Sequence, residues 1–409
     1  MTEIMTIDSL GHQGDGVVQA HGGRTFVPFT LAGERVEVAR SSGHRKLVSV
    51  IEASEDRIEP VCKHFGSCGG CQVQHLANKP YLAWKKQLVV DALSSANIVT
   101  PVEPVLYFPD DQRRRVVFSA IHTSTDVQLG FIQKSTHNVI AVSECPVITR
   151  PISSKLDVIK KVIRPILPAK GITSIYVLQC NNGLDIHVEA QGKLAEKARQ
   201  SAVRIALDAN IARLSFGDEV LIETKRPKLT MGTAEVCVPP GLFVQAVSSA
   251  ERAMAELVCN HLSSCKQVAD LYCGAGTFAL RLAQNSQVLA CENNHAAIDA
   301  LDEAWRGTGG KLKLIRTQKR DLHVRPVMAE ELKKTQGVVF DPPRAGAQAQ
   351  TKQLALSKVK KIAAVSCNPA SLAQDLGVLI NNGFKIKGVH PIDQFVYTPH
   401  IEVIVLLER

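Results

Sequence analysis

The sequence predicts a multidomain α/β protein, because its pattern changes twice along the 409 residues. Residues 1–54 contain short, punctuated strands. Residues 55–235 open with a cysteine-rich run and continue as mixed strands and helices, and residues 236–409 alternate strand and helix. Because a domain usually holds about 100–200 residues, the chain can hold two or three. We predict a small N-terminal β-barrel, a central α+β region and a C-terminal, doubly wound α/β domain.

Charge and cysteine content narrow the class of protein. The formal net charge of +9 favours a polyanionic partner, most simply nucleic acid, although a generic solvated surface is the alternative. Eleven cysteines suggest metal ligands or chemistry in a reducing compartment. Met1 to Leu10 lacks the basic start and apolar core of a secretory signal, and no apolar run could cross a membrane. We therefore expect a cytoplasmic monomer with no membrane partner.

The first part of the chain reads as a small barrel. Arg24–Phe29 and Glu34–Ala39 alternate apolar and polar residues with the period of half-buried strands, and Lys46–Ala53 reads as another strand. Several short strands in so short a stretch predict an OB-like barrel, a fold that commonly binds single-stranded nucleic acid. A structural cap without a ligand is the alternative.

Three cysteines, Cys62, Cys68 and Cys71, lie within ten residues, and glycines between them let the backbone fold closely around a metal centre. A fourth cysteine would complete a tetrahedral thiolate set. Cys145 is the best candidate because a proline follows it, as in many cluster-binding runs. Zinc and an iron–sulfur cluster both suit such a set. Five residues separate Cys62 from Cys68, which does not match the C-x3-C-x2-C spacing of radical-type enzymes.

The central region is mixed, with a helix predicted at 75–98 and further strands and helices up to residue 235. It carries two basic runs, Arg113-Arg114-Arg115 and Lys160-Lys161. Such runs are either solvated faces or contacts to nucleic-acid phosphates. The sequence leaves both interpretations open.

A cofactor site is predicted where Asp270-x-x-x-Gly274-x-Gly276 lies between a strand at 268–272 and a helix from Phe278. Glu292 ends the next strand and could hold ribose hydroxyls. The third glycine of the dinucleotide fingerprint is replaced by alanine. This favours S-adenosylmethionine, which has no pyrophosphate, over NAD. The alternative is a glycine turn without a ligand.

A second candidate site is Val365-Ser366-Cys367-Asn368-Pro369, which reads as a strand end, a sharp turn and the start of a helix. Chemistry is placed at the carboxyl ends of strands in an α/β sheet, and a helix N-terminus lowers the pKa of a thiol. We therefore predict an exposed, activatable Cys367. The alternative is a buried cysteine that packs as a small apolar residue.

Asp341-Pro342-Pro343-Arg344 ends another predicted strand, and its prolines predict a rigid lip. Methyltransferases of exocyclic amines carry a similar motif followed by an aromatic residue. Arg344 in that place indicates a different target atom.

Four motifs together resemble the RNA 5-methyluridine methyltransferases: Asp270–Phe278, Asp341–Arg344, Ser366–Asp375 and Thr398–Glu402. The front end is similar to a TRAM domain, an RNA-binding module, in Gly14-x-Gly16, Phe26–Phe29 and Gly33–Val36. With the cysteine run, it resembles the branch that acts on large-subunit ribosomal RNA. The tRNA branch usually lacks both. The chain departs from the family pattern at Val247 and Thr277, where asparagines are common.

The resemblance implies a Rossmann-like class I methyltransferase domain that uses S-adenosylmethionine. It implies that the thiolate of Cys367 adds to C6 of a flipped uridine, and that Glu402, on one strand face with His400, removes the C5 proton. It also implies a 4Fe-4S cluster on Cys62, Cys68, Cys71 and Cys145. The implied cofactor contacts are Gln245, Tyr272, Glu292, Asp321 and Asp341.

The expected partner is therefore RNA, with large-subunit ribosomal RNA as the main hypothesis. Two alternatives stay open. One is the same chemistry on tRNA, and the other is a non-catalytic iron–sulfur protein that binds RNA.

Overall fold

The computed structural model describes residues 2–20, 23–41 and 44–409. Met1, His21, Gly22, Ser42 and Gly43 belong to the predicted barrel of residues 1–54 and lie outside the described residues. A search of the described ranges finds no helix that is long and apolar enough to span a bilayer.

The N-terminal part consists of two small antiparallel sheets around one apolar core. Its strands are β1 (Thr2–Thr6), β2 (Ser9–Leu10), β3 (Gly16–Ala20), β4 (Gly23–Val27), β5 (Arg35–Ser41) and β6 (His44–Glu52). One sheet has the order β1-β5-β6 and the other β2-β3-β4. The core contains Ile7, Val27, Val36 and Val38. The three predicted strands correspond to β4, β5 and β6, whereas closure into an OB-like barrel stays a prediction.

The central region holds a seven-stranded sheet with the order β10-β9-β8-β11-β12-β13-β14. The elements of this region are α1 (Asn78–Ser95), β7 (Leu106–Tyr107), β8 (Arg115–His122), β9 (Val127–Ile132), β10 (Val139–Ala141), α2 (Arg150–Ser153), α3 (Leu156–Ile163), β11 (Thr173–Cys180), β12 (Gly183–Val188), α4 (Glu196–Asp208), β13 (Arg213–Phe216), β14 (Glu219–Glu223), β15 (Lys228–Met231) and β16 (Ala234–Cys237). Helices α3 and α4 pack on each other and on this sheet. Phe118, Ile159, Ile175 and Ile186 lie in the shared core.

The C-terminal domain is an eight-stranded sheet between two layers of helices, so the predicted α/β fold is confirmed. Its elements are α5 (Ser248–His261), β17 (Gln267–Leu271), α6 (Ala279–Leu282), β18 (Gln287–Glu292), α7 (His295–Gly307), β19 (Ile315–Lys319), β20 (Gly337–Phe340), α8 (Gln348–Leu356), β21 (Lys361–Ser366), α9 (Pro369–Asn381), β22 (Lys385–Asp393) and β23 (Glu402–Glu408). The order is β19-β18-β17-β20-β21-β23-β22-β7. Helices α5, α6 and α7 share one core, and α1, α8 and α9 share the other.

The directions of the strands determine which residues meet at the carboxyl edge of this sheet. Strands β17 to β21 pair in parallel, as expected for strands joined by crossover helices. The last strand, β23, inserts antiparallel between β21 and β22. Its first residues therefore lie at the edge where the parallel strands end.

Two strands differ from the prediction. The sequence also predicts a strand at 311–316, and the structure instead has it at Ile315–Lys319, because parallel pairing places Ile315 beside Val288 of β18. It is an edge strand with mostly polar residues, so no apolar run marks its bounds. Strand β22 was not predicted, since its first half is largely exposed and alternates lysine with apolar residues.

Residues before 236 also contribute to this sheet. Strand β7 pairs with β22, and α1 packs against α9 and β22. The boundaries predicted at 54/55 and 235/236 stay predictions.

Candidate active site

The parallel strands of the C-terminal sheet end around one cavity of about 780 Å³. This is the edge where an open α/β sheet binds its ligands, because the loops that follow the strands diverge there. The structure brings all seven predicted catalytic and cofactor residues to its wall, and they are Gln245, Tyr272, Glu292, Asp321, Asp341, Cys367 and Glu402.

Strand register sets Glu402 beside Cys367. Ser366, the last residue of β21, pairs with Val403 of the antiparallel β23. One step further along the two strands, Cys367 comes opposite Glu402. Glu402 also pairs with Ile392 of β22, which fixes it from the other side. A thiol and a carboxyl from residues far apart in sequence thus face one cavity.

A chain of two glutamines joins the carboxyl groups of the site. Gln245 Nε2 donates to Asp341 Oδ2 at 3.1 Å, and Gln394 Nε2 donates to Gln245 Oε1 at 2.7 Å. Gln394 Nε2 also donates to Glu402 Oε1 at 3.0 Å, while its own Oε1 accepts from the amide of Ala246 at 3.1 Å. Both glutamines are buried, so the network fixes the orientation of both carboxyl groups.

Glu402 is buried, and burial raises its pKa, with repulsion from Asp341 adding to the rise. Within the described part of the chain its Oε2 has no hydrogen-bond partner. Burial also raises the pKa of Asp341, although Asp341 keeps some surface toward the open cavity. A buried carboxyl with one free oxygen is suited to accept a proton from a ligand in the cavity.

The raised pKa of Glu402 predicts a stability cost at high pH. Below its usual pKa of 4.5 the group is protonated in both the folded and the unfolded chain, so it adds no penalty. As pH rises toward the raised folded pKa, the unfolded chain ionises more readily and the fold loses stability. We expect Glu402→Gln to stabilise the fold by about 1–3 kcal/mol at pH 8, and by much less at pH 5.

Thermal unfolding of the two proteins at both pH values measures this difference. Glu408→Gln is the matched control, because Glu408 ends the same strand and its hydrogen bond with Lys361 lowers its pKa. That variant should gain no stability at pH 8. Equal melting temperatures for wild type and Glu402→Gln at pH 8 would contradict a buried, ionisable Glu402.

The structure corrects the prediction of an exposed Cys367 with a lowered pKa. Burial raises its pKa to about 11, and the carboxyl groups of Glu402 and Asp341 add to the rise. The positive charge of Arg344 opposes the shift. Cys367 does precede helix α9, but Asn368 caps that helix by accepting from the amide of Ala370 at 3.2 Å. Local helix geometry is therefore outweighed by burial and by the two acids.

His400 does not share a strand with Glu402 as predicted, because β23 begins only at Glu402. The His400 ring instead lies beside Arg344, with Nδ1 at 3.0 Å from its Nη2. Burial and the neighbouring Arg344 lower the pKa of His400 to about 4, which keeps the ring neutral at physiological pH. A neutral ring can accept a hydrogen bond from Arg344 and hold the guanidinium beside the thiol.

The other end of the cavity fits an adenosyl ligand. Gly274 has a φ of 53° and faces open space, so a ligand could approach its backbone closely. Glu292 is held in place by the amides of Gly274, Asn293 and Asn294 at 2.7–3.1 Å. Its position at the end of β18 suits the recognition of ribose hydroxyls. The donor set therefore fits S-adenosylmethionine.

Tyr272 and Asp321 form the wall beside this end. Tyr272 has a φ of 63°, an uncommon conformation for a bulky residue, and its ring lies 5.6 Å from that of His323. Asp321 follows β19, and its Oδ1 accepts from the amide of His323 at 3.0 Å. The other oxygen of Asp321 forms no such bond among the described residues and lies at the cavity wall.

The four predicted metal ligands, Cys62, Cys68, Cys71 and Cys145, line a second, smaller cavity of about 230 Å³. Burial raises the pKa of Cys71 to about 12 and that of Cys145 to about 11, with repulsion between the cysteines adding to both shifts. Across residues 2–20, 23–41 and 44–409, no group of three or more His, Cys, Asp or Glu is placed to hold a metal ion. Four thiols around one cavity are a donor set that suits an iron–sulfur cluster.

The basic run at 113–115 is not a simple phosphate-binding surface. Arg114 is buried, forms an ion pair with Glu251 and donates to the backbone of Gln245. It therefore joins the central region to the active site. Arg115 instead stacks on Phe243, with the guanidinium 4.7 Å from the ring centroid.

The sequence did not reveal three residues that contribute to the site: Gln394, Arg344 as a partner of the thiol, and Phe395 in the cavity wall. Gln394 and Phe395 directly follow β22. The strand-end rule would have found both if that strand had been recognised.

The chain is similar to known RNA methyltransferases in both sequence and fold. A family model described as tRNA (uracil-5-)-methyltransferase matches residues 188–409. An uncharacterized RNA methyltransferase of Agrobacterium fabrum is 45% identical, with 100% of each chain covered. A 23S rRNA (uracil(1939)-C(5))-methyltransferase of Shewanella woodyi is 29% identical and covers 99% of this chain and 95% of its own. The solved Pyrococcus abyssi tRNA (uracil-54, C5)-methyltransferase, in complex with S-adenosyl-L-homocysteine, matches the fold with a TM-score of 0.75, 20% identity and 99% coverage of each chain.

Proposed function

The chain belongs to the tRNA (uracil-5-)-methyltransferase family, and we propose that it methylates C5 of a uridine in large-subunit ribosomal RNA. The observation that carries this proposal is the register that sets Cys367 opposite Glu402 at the cavity wall. A nucleophile and a base on one side of a cavity that fits an adenosyl ligand are the two groups that uracil C5 chemistry needs.

Cys367 is the proposed nucleophile. The C5 carbon of uracil is too weak a nucleophile to take a methyl group unaided. When the thiolate forms a bond to C6, the C5–C6 double bond opens, and its electron pair makes C5 an enolate carbon. The positive charge of Arg344 favours the thiolate form of Cys367. The target uridine must leave its stack to reach the thiol, which favours a loop or single-stranded site.

Glu402 is the proposed base. After methylation, its carboxylate takes the proton from C5, the C5–C6 double bond reforms, and the bond from C6 to the Cys367 sulfur breaks. A carboxyl with a raised pKa is a stronger base once ionised. Gln394 holds Oε1 of Glu402, so Oε2, which has no partner among the described residues, is the atom that accepts the proton.

S-adenosylmethionine, when bound, supplies an electrophilic methyl group. We propose that Glu292, Tyr272 and Asp321 hold its adenosyl part, and that Asp341 and Gln245 lie toward its reactive end. The hydrogen bond between Gln245 and Asp341 connects this end to the network that fixes Glu402.

Ribosomal RNA is preferred over tRNA because the Shewanella woodyi relative acts on 23S rRNA. The second candidate is tRNA, which both the family description and the Pyrococcus abyssi protein name. To separate them, labelled S-adenosylmethionine is offered with protein-free ribosomal RNA and tRNA from cells that lack the enzyme, and the RNA is digested to nucleosides. We expect labelled 5-methyluridine in ribosomal RNA. If label appeared only in tRNA, the proposed substrate would be wrong but the proposed chemistry would stand.

A non-catalytic RNA-binding protein is the other alternative that the sequence left open. It predicts that the protein binds cofactor or RNA but transfers no label to either RNA pool. A cytoplasmic location and a monomeric state stay predictions.

We also propose that Cys62, Cys68, Cys71 and Cys145 hold a 4Fe-4S cluster, which would supply a rigid link between the segments that carry them. Protein purified without oxygen should contain iron and sulfide and should show the visible absorbance of a cluster. Cys71→Ala should lose most of both, whereas Cys259→Ala, outside this cavity, should keep them. Zinc in place of iron in the wild-type protein would contradict the cluster.

A further inference from the structure

Arg113 is a half-buried arginine with no negatively charged partner among the described residues. Its Nε and Nη2 atoms are buried and form no hydrogen bond there. Buried donor atoms without a partner are costly, and on a charged group they indicate a missing negative partner. The Arg113 side chain lines the cavity of the four cysteines.

The backbone of Arg113 is fixed to the segment that follows Cys145. Its amide donates to the carbonyl of Val147 at 3.0 Å, and its carbonyl accepts from the amide of Thr149 at 3.0 Å. The guanidinium is thus held near the cysteines by the same segment that carries one of them. Four thiolates bring more negative charge than the iron core of a cluster offsets, which would supply the missing partner.

Phe395 borders both the cysteine cavity and the active-site cavity of Cys367 and Glu402. The Arg113 guanidinium lies over its ring, 5.6 Å from the centroid. The residue before Phe395 is Gln394, which hydrogen bonds to Glu402 at 3.0 Å. A single side chain therefore connects the charge beside the cysteines to the network of the catalytic carboxyl.

A second connection joins the same two places. The amides of Gln72 and Val73, just after Cys71, donate to the carbonyl of Tyr397 at 2.8 and 3.2 Å. The buried Lys85 donates to the carbonyls of Phe395 and His400 at 3.3 and 2.5 Å. The loop from 394 to 400 is thus held in its middle, at Tyr397, by the cysteine segment, and it leads into Glu402.

We propose that Arg113 is the counter-charge of the cluster bound by the four cysteines, and that its contact with Phe395 makes the cluster a support for the loop that orients Glu402. Arg113 is a positioning residue for both sites. This inference depends on the proposed function for the identity of the cluster and of the base.

The test compares Arg113→Met, which removes the charge, with Arg113→Lys, which keeps it, in full-length protein purified without oxygen. We expect Arg113→Met to lose iron to a chelator several-fold faster than wild type, and its cluster to have a more negative midpoint potential, because the reduced cluster loses a stabilising cation. Arg113→Lys should restore most of both properties. Arg150→Met, an exposed arginine nearby, serves as the control for iron retention and should match wild type.

Methyl transfer supplies the second readout. For Arg113→Met that still holds its cluster, we expect kcat to fall several-fold while KM for RNA changes little, because Glu402 is misoriented and RNA contacts are kept. Iron loss and midpoint potential equal to wild type in Arg113→Met would overturn the counter-charge. An altered cluster with an unchanged kcat would overturn the link to Glu402. The rate of iron loss and the midpoint potential do not depend on methyl transfer. A protein that transfers no methyl group would therefore still test the counter-charge.

Discussion

Cys367→Ala should abolish methyl transfer while leaving the cofactor bound. Without the thiol no bond can form to C6, so C5 stays a weak nucleophile, and we expect the rate to fall by at least about 1000-fold. The cofactor contacts proposed here lie on other strand ends, so the affinity for S-adenosylmethionine should stay close to that of wild type. Label incorporation into RNA and calorimetric binding of the cofactor measure the two properties on one preparation.

The matched control is Cys259→Ala. Cys259 is half-buried in helix α5 and does not line the large cavity. That variant should keep the wild-type rate. If Cys367→Ala also kept more than a tenth of the rate, covalent catalysis by this residue would be wrong.

Glu402→Gln should accumulate the covalent complex between protein and RNA. The amide cannot accept the C5 proton, so the bond from C6 to Cys367 is not released, and turnover should fall by roughly 100- to 10,000-fold. The methylated RNA should stay attached to the protein through denaturing electrophoresis. Gln394 can still donate to the new amide oxygen, so the network should remain in place.

Two variants control this result. Glu408→Gln, at the far end of the same strand, should turn over normally and show no trapped complex. The double variant Cys367→Ala, Glu402→Gln should form no complex, since it lacks the attacking sulfur. A slow Glu402→Gln enzyme that never accumulates a complex would place the base elsewhere.

The sequence predicted that Glu292 and Cys367 lie at the ends of strands, where chemistry is placed, whereas the roles of Tyr272 and Asp341 came from the family resemblance. Tyr272, Glu292, Asp341 and Cys367 each follow or end a strand whose apolar run was readable, and all four reach one cavity. Gln394 was missed because its strand, β22, opens with exposed lysines and shows no apolar run.

Properties that depend on distant neighbours were not predictable in the same way. The pKa of Cys367 follows burial and two acids from other strands rather than the helix that begins beside it. His400 lies before the strand and not within it, since only pairing with β21 and β22 defines where β23 starts.

The environments of the three arginines at 113–115 were also not predictable from the sequence. A run of basic residues in a sequence suggests one surface, yet Arg114 pairs with Glu251, Arg115 stacks on Phe243, and Arg113 faces the cysteine cavity. Only Arg115 lies in β8, and the two arginines before it precede the strand, so the three side chains enter different environments that only the folded chain reveals.

The most direct test of the account uses RNA in which 5-fluorouridine replaces the target uridine. Fluorine at C5 leaves no proton for Glu402 to remove, so the reaction should stop with the RNA bound to the thiol. After digestion, mass spectrometry should find a methylated fluorouridine nucleotide on the peptide that contains Cys367. A nucleotide on a different residue, or methylated uridine formed with no protein-bound intermediate, would contradict the proposed chemistry.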